Sequence, residues 1–161
     1  MTGTAGPLVL VVCHANTARS IMAQVLLERL LAARGARVRV RSAGIAPWAR
    51  DGMLPSLDAR IVLREEGIVI AEDALTSTDL RRHPELLREA SVILTMTADQ
   101  RDVVRALPDV NGCPVYTLAE FAGADADIAD PAMRGEDAFR AALTEIKRYL
   151  AIAIDRLAAL G

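Results

Sequence analysis

Five consecutive apolar residues, Leu8-Val9-Leu10-Val11-Val12, run directly into a cysteine and a short polar stretch, and this junction constrains the chain more than any other feature. An uninterrupted β-branched run lacks the alternation of a strand with one wet face. It suits a strand buried on both sides, as in a parallel sheet. A helical pattern starts near Arg19, with apolar Met22, Leu26, Leu30 and Ala33 at helical spacing and Gly35 as the C′ stop. Arg37-Val38-Arg39-Val40-Arg41 then alternates and reads as a second, half-exposed strand. Strand, helix and strand in that order make a βαβ unit, whose right-handed crossover sets the two strands parallel.

The alternation continues to the end of the chain. Leu54–Glu66 reads as a helix ending at Gly67, and Thr78–Ala90 as a helix broken around Pro84. Ser91–Met96 reads as a strand, Ala98–Leu107 as a helix stopped by Pro108, and Pro114–Thr117 as a short strand. Residues 122–135 form a long loop, and Glu136–Leu160 a closing helix with apolar positions 139, 143, 146, 150, 153 and 157. No repeat or linker divides residues 1–161, so the expectation is a single α/β domain with a parallel sheet. With 52% hydrophobic residues the chain can bury a core without staples, and a net charge of −2 supplies no basic field for nucleic acid. Two cysteines are too few for a disulfide framework, and no zinc-type spacing occurs. Met1–Pro7 has no charged leader pattern, and Leu8–Val12 is too short to span a membrane. The expectation is a cytoplasmic protein without a membrane partner, in which Cys13 stays reduced.

In open α/β sheets ligands bind beyond the carboxyl ends of the strands. Cys13 lies at such an end, and Arg19 lies six residues later at the start of the first helix. A short loop of this kind turns backbone N–H groups toward an anion, and the helix N-terminus adds its positive end. The thiolate is the attacking form of cysteine, and such a setting stabilises it. A planar guanidinium at the rim can grip two phosphoryl oxygens. An isolated cysteine at a strand end is ordinarily an inert core residue; the Cys-x5-Arg-Ser spacing between strand and helix favours chemistry. Within the long loop, Asp125, Asp127 and Asp130 are all candidates for solvated or capping roles. Pro131 restricts Asp130 to extended conformations and favours it as a positioned acid.

The loop Cys13-His14-Ala15-Asn16-Thr17-Ala18-Arg19-Ser20 resembles the signature of the low-molecular-weight protein tyrosine phosphatase family, which also contains protein-arginine phosphatases and thiol-dependent arsenate reductases. Arg41-Ser42-Ala43-Gly44 looks like the family's turn after strand two. Trp48 stands where many members carry a pocket-wall aromatic, and Asp130-Pro131 matches the distant Asp-Pro loop. The resemblance covers essentially the whole chain. It implies a four-stranded parallel sheet of order 2-1-3-4 with helices on both faces. It implies that Cys13 attacks and becomes a phosphocysteine, that Arg19 stabilises the transferring group, and that Asp130 acts as acid and then base. Residues His14, Ala15, Asn16, Thr17, Ala18 and Arg19 would form the phosphate-binding loop. Ser20 and Asn16 would hold it in shape, with Ser42 joining that support, and Thr17, Trp48 and Met133 would line the substrate pocket. No metal or organic cofactor is implied, and the partner is a phosphorylated protein or peptide met by a monomer or weak homodimer.

The chain departs from the family pattern at four places. Ala15 replaces a usual glycine and suits only negative φ. Ala18 replaces a second cysteine, Ile21 a proline, and Ala132-Met133 the usual aromatic after Asp-Pro. The leading expectation is hydrolysis of phosphotyrosine-type monoesters. Thr17, where tyrosine-specific members have a bulky aliphatic, points to phosphoarginine as the alternative. Arsenate reduction needs thiols near the end of strand three, and residues 91–107 contain none. An inactive phosphate-binding module would have lost Cys13, Arg19 or Asp130. His14 is expected at the loop rim, His83 on the surface, Cys113 as an inert thiol, and Arg37, Arg39 and Arg41 as a solvated strand face.

Overall fold

In the computed structural model, which describes residues 6–161, the opening apolar run forms β1 (Leu8–Cys13), buried at every position. The Met1–Ala5 part of the stretch Met1–Pro7 lies outside the described residues. Alternation within β1 sends Val9, Val11 and Cys13 into one apolar layer and Leu8, Leu10 and Val12 into another. That division explains why the run is continuous: each face of the strand meets helices, so neither can be polar.

The first layer is built by α1 (Arg19–Ala33), α2 (Leu57–Glu65), α5 (Leu118–Phe121) and α6 (Glu136–Ala158). The second contains Leu86 and Leu87 of α3 (Pro84–Glu89) and Val104 of α4 (Ala98–Arg105). Between them lie β2 (Arg39–Gly44), β1, β3 (Ala90–Thr95) and β4 (Val115–Thr117), in that spatial order. Every pairing is parallel, in a four-stranded α/β sheet with helices on both faces. Among the described residues no helix is long and apolar enough to cross a membrane.

Three element assignments differ from the sequence reading. α2 begins at Leu57 and not at Leu54, after Pro55 and the N-cap Ser56. β2 begins at Arg39 and runs through Ser42-Ala43-Gly44, the segment read as a turn. Its limits follow from register: Arg39 pairs with Leu8 and Gly44 with Cys13, so the ladder ends where β1 ends. The short helix α5 was also missed, although Thr117 and Glu120 form a reciprocal capping box at its start.

Candidate active site

All that the sheet must do for the site is deliver β1 and α1 to a common point. Cys13 is the last residue of β1 and Arg19 the first of α1, and both are buried. Ala18, the N-cap of α1, offers no side-chain cap, and the first turn carries no acidic residue. The orphan N–H groups of that turn are therefore left for an external anion.

The loop is tied outward through its carbonyls. Those of Cys13 and His14 accept from the N–H groups of Ile45 and Ala46, each at 3.0 Å, and that of Thr17 accepts from Ser56 N–H at 2.8 Å. Gly44 lies directly beneath: a Cβ there would sit 2.6 Å from His14 O and 2.9 Å from the carbonyl carbon of Ala15, so only glycine lets the end of β2 pass. The left-handed position in the loop is Asn16, with φ 61°, while Ala15 is not among the positive-φ residues. Asn16 Oδ1 accepts from Thr78 N–H at 2.9 Å, which fixes the orientation of its amide. Its Nδ2 then donates to Ser20 Oγ at 2.7 Å, and Ser20 Oγ lies 2.9 Å from Cys13 Sγ. With one lone pair engaged by Asn16, the Ser20 hydroxyl keeps its proton for the sulfur.

A cavity of about 210 Å³ opens above the sulfur. Cys13, His14, Ala15, Thr17, Ala18 and Arg19 form its floor, Trp48 one wall, and Asp130 with Ala132 the other. The His14 ring lies 6.1 Å from that of Trp48. Burial, and after it the Arg19 guanidinium, lowers the His14 pKa, so the ring adds no cation to the rim at neutral pH. Arg19 Nη1 donates to Ile128 O at 2.7 Å, and Nη2 stands 3.6 Å from Asp130 Oδ2. Asp130 is about half exposed, at the cavity mouth, with Oδ1 accepting from Ala132 N–H at 3.0 Å. The Cys13 sulfur, a guanidinium fork and a carboxylate thus border one cavity. A larger groove of about 460 Å³, lined by Leu26, Leu30, Ile68 and Leu150, has no cysteine, serine or threonine in its lining, and its one lysine, Lys147, is paired with Glu66.

Two expected site residues lie elsewhere. Met133 is fully exposed and has φ 62° in the turn closed by Arg134 N–H on Pro131 O. That backbone turns its side chain to solvent, and Ala132 takes the wall position instead. The Ser42 hydroxyl donates to Gln24 Oε1 of α1. Ser42 pairs with Val11, two residues short of the loop, so it braces the helix and not the phosphate cradle. Sequence reasoning also missed Ile128, whose only signal is a lone large aliphatic residue in an Asp-rich loop. Among the described residues, no group of three His, Cys, Asp or Glu side chains could hold a metal ion.

The connection after Gly44 is clamped from the second layer. Arg81 Nη1 donates to the carbonyls of Ile45 and Ala46, and His83 Nε2 meets Asp51 Oδ2 at 2.9 Å. The bond to Asp51 raises the His83 pKa, while the Asp79 N–H and then His83 lower that of Asp51. The histidine contribution is complete below its ordinary value of about 6.5 and fades as pH rises through the raised one. The carboxylate contribution is present above the ordinary Asp value and is lost on acidification. Side-chain exposures of 38% and 43% leave the pair well screened, so its worth is about 0.5 kcal/mol. A small fall in Tm is expected between about pH 6 and pH 8, and His83→Gln should flatten it. An unchanged slope in that variant would remove His83 as the cause.

Residues 8–159 match the profile of the family described as low molecular weight phosphotyrosine protein phosphatase. The chain is 38% identical over 152 residues to a protein-arginine-phosphatase of Geobacillus stearothermophilus, covering 93% of each. It is 34% identical over 156 residues to a probable low molecular weight protein-tyrosine-phosphatase, EpsP, of Ralstonia nicotianae, covering 95% of this chain and 97% of that one. The fold superposes with a TM-score of 0.84 and 26% identity on a YwlE arginine phosphatase whose active-site cysteine is replaced by a phosphorylated serine, covering 93% and 95% of the two chains.

Proposed function

Because the chain belongs to the low molecular weight phosphotyrosine protein phosphatase family, we propose that it hydrolyses phosphorylated side chains of proteins through a phosphocysteine, with phosphoarginine as the preferred substrate. The observation that carries the chemistry is the sulfur of Cys13 at the floor of an anion cradle, with the Ser20 hydroxyl 2.9 Å away, Arg19 in the same floor and Asp130 at the mouth.

Cys13 Sγ attacks phosphorus in line with the leaving atom, and an S–P bond forms as the P–O or P–N bond breaks. The loop N–H groups and the Arg19 fork take the charge that spreads over the three equatorial oxygens. Asp130 gives its proton to the departing oxygen or nitrogen. It then takes one from the water that attacks the S–P bond, releasing orthophosphate and regenerating the thiolate. In the YwlE structure with serine at the nucleophile position, that serine carries the phosphoryl group, which supports the same covalent route here.

Thr17 and Ala132 favour phosphoarginine. Thr17 lies in the cavity with a hydroxyl able to bond a guanidino N–H, and the wall beside Asp130 is an alanine, too small to sandwich a phenyl ring. The relative in Geobacillus stearothermophilus is named for that activity. Trp48 supports the second reading, phosphotyrosine, because it gives one aromatic wall.

The test is kcat/KM on matched phosphoarginine and phosphotyrosine peptides. A ratio of about tenfold or more toward phosphoarginine is expected, or roughly 1.4 kcal/mol of differential transition-state binding, and Thr17→Ile should reduce or invert it. A preference for phosphotyrosine would make Trp48 the governing wall. Hydrolysis of neither peptide would refute the reading.

A further inference from the structure

We propose that Asp127 is a positioning residue: by bonding the start of α4 it holds the Ile128–Pro131 segment so that Asp130 stands over the phosphate cradle. The inference rests on the reading of Asp130 as the proton donor.

Asp130 lies in the connection between α5 and α6, where no residue from 124 to 130 belongs to a helix, strand or turn. Such a segment does not by itself hold a carboxylate to the tolerance that proton transfer requires. Three bonds supply the rigidity. Asp127 Oδ1 accepts from Ala98 N–H at 2.8 Å. Ile128 N–H donates to Met96 O at 2.9 Å, and Ile128 O accepts from Arg19 Nη1 at 2.7 Å. The Ile128 side chain is 1% exposed, so the clasp is also anchored in the core.

The Asp127 bond is not one that α4 needs. Thr97 already caps this helix: its hydroxyl accepts from Gln100 N–H, and Gln100 Oε1 returns to Thr97 N–H and also takes Met96 N–H. The box engages the N–H groups of Thr97 and Gln100 and leaves that of Ala98 to solvent or to Asp127, and a carboxylate at this exposed, screened end adds only modestly to the helix. What it adds is a fixed link from the end of β3 and the start of α4 to the loop that carries Asp130. The link matters most when an anion fills the cradle, because the Arg19 guanidinium then divides its donors between Ile128 O and the phosphoryl oxygens. Asp125, two residues earlier, makes no comparable bond among the described residues.

Kinetics across leaving groups test this. A proton donor matters when the leaving group is a poor one and hardly at all when it departs readily as an anion, and kcat/KM reports the step in which it departs. For Asp127→Ala, kcat/KM on phenyl phosphate should fall about tenfold, and on p-nitrophenyl phosphate by less than about twofold. Asp127→Asn keeps an acceptor oxygen and should restore most of the loss. Ala98→Pro deletes the same bond from the donor side. Proline suits the first position of a helix, and Thr97, at φ −134° and ψ 159°, already has the extended backbone that precedes it. This variant should reproduce the signature of Asp127→Ala, and it decides the matter alone if Asp127→Ala does not fold. Equal losses on both substrates, or none, in either variant overturn the proposal. Asp130→Asn keeps the two failures apart. If that variant shows no leaving-group dependence, the assignment of the acid is wrong; if it shows one and Asp127→Ala does not, only the positioning role falls.

Discussion

Cys13→Ser is expected to lower turnover of an aryl phosphate by about 10⁴-fold or more and to eliminate repeated product release. Among the described residues the side-chain partner of Cys13 Sγ is the Ser20 hydroxyl at 2.9 Å, and a serine hydroxyl that already accepts from Asn16 Nδ2 cannot act as a base for an incoming serine. A serine hydroxyl at neutral pH keeps its proton, so the variant would place a weak nucleophile in an intact cradle. Even if it attacked once, the phosphoserine formed has a worse leaving group than the phosphocysteine, and the site would stop after a single phosphoryl transfer. The measurement is rapid-mixing release of p-nitrophenol together with intact-protein mass. The wild type should show a burst of one equivalent followed by turnover, and the variant at most one equivalent. Because serine is nearly isosteric, Tm should change little, which separates lost chemistry from lost fold. Comparable steady-state hydrolysis by the variant would exclude Cys13 as the nucleophile.

Arg19→Lys carries the next largest effect. Arg19 is 2% exposed and divides its guanidinium between Ile128 O at 2.7 Å and the mouth of the cradle, where Nη2 stands 3.6 Å from Asp130. A lysine is a point donor on a shorter reach and cannot serve both places. If it turns to the anion, Ile128 O is left buried without this donor, at a cost of about 1–3 kcal/mol. If it turns to Ile128, the equatorial oxygens lose their bidentate partner. The expectation is a fall in kcat of roughly 10²–10³, as for removal of a preorganised oxyanion donor, with weaker inhibition by orthophosphate. Steady-state kinetics, phosphate inhibition and a thermal melt check these. A lysine variant within about threefold of wild type would show that the fork is not what stabilises the transferring group.

The parts of the site legible in the sequence are those carried by neighbouring residues. Cys13 and Arg19 are six residues apart because a strand must end and a helix must begin around one anion, and both boundaries are visible as changes of hydrophobic period. Asn16 and Ser20 fall within the same loop and one helical turn, so their support of the sulfur follows from local spacing. Pro131 marks Asp130 through its effect on the preceding backbone. Met133 failed as a pocket wall for an equally local reason: its left-handed φ of 62° aims the side chain outward, and nothing in the residue type announces that. Ser42 failed because its partner depends on how α1 is rotated over β2, where Gln24 meets it first.

Local sequence alone determined the buried central strand, the crossover that makes the sheet parallel, and the loop that brings sulfur and guanidinium to one cavity. These follow from periodicity and from sterics that act within a few residues. Tertiary structure decided what holds that loop open and what stands over it. The Gly44 backbone passes beneath His14, Thr78 orients Asn16, and Ile128 is clasped by Met96 and Arg19. The Asn16–Thr78 and Arg19–Ile128 contacts join residues 62 and 109 positions apart. Their existence depends on sheet register and helix docking, which the packing of two whole apolar layers sets and which no short stretch of sequence can express.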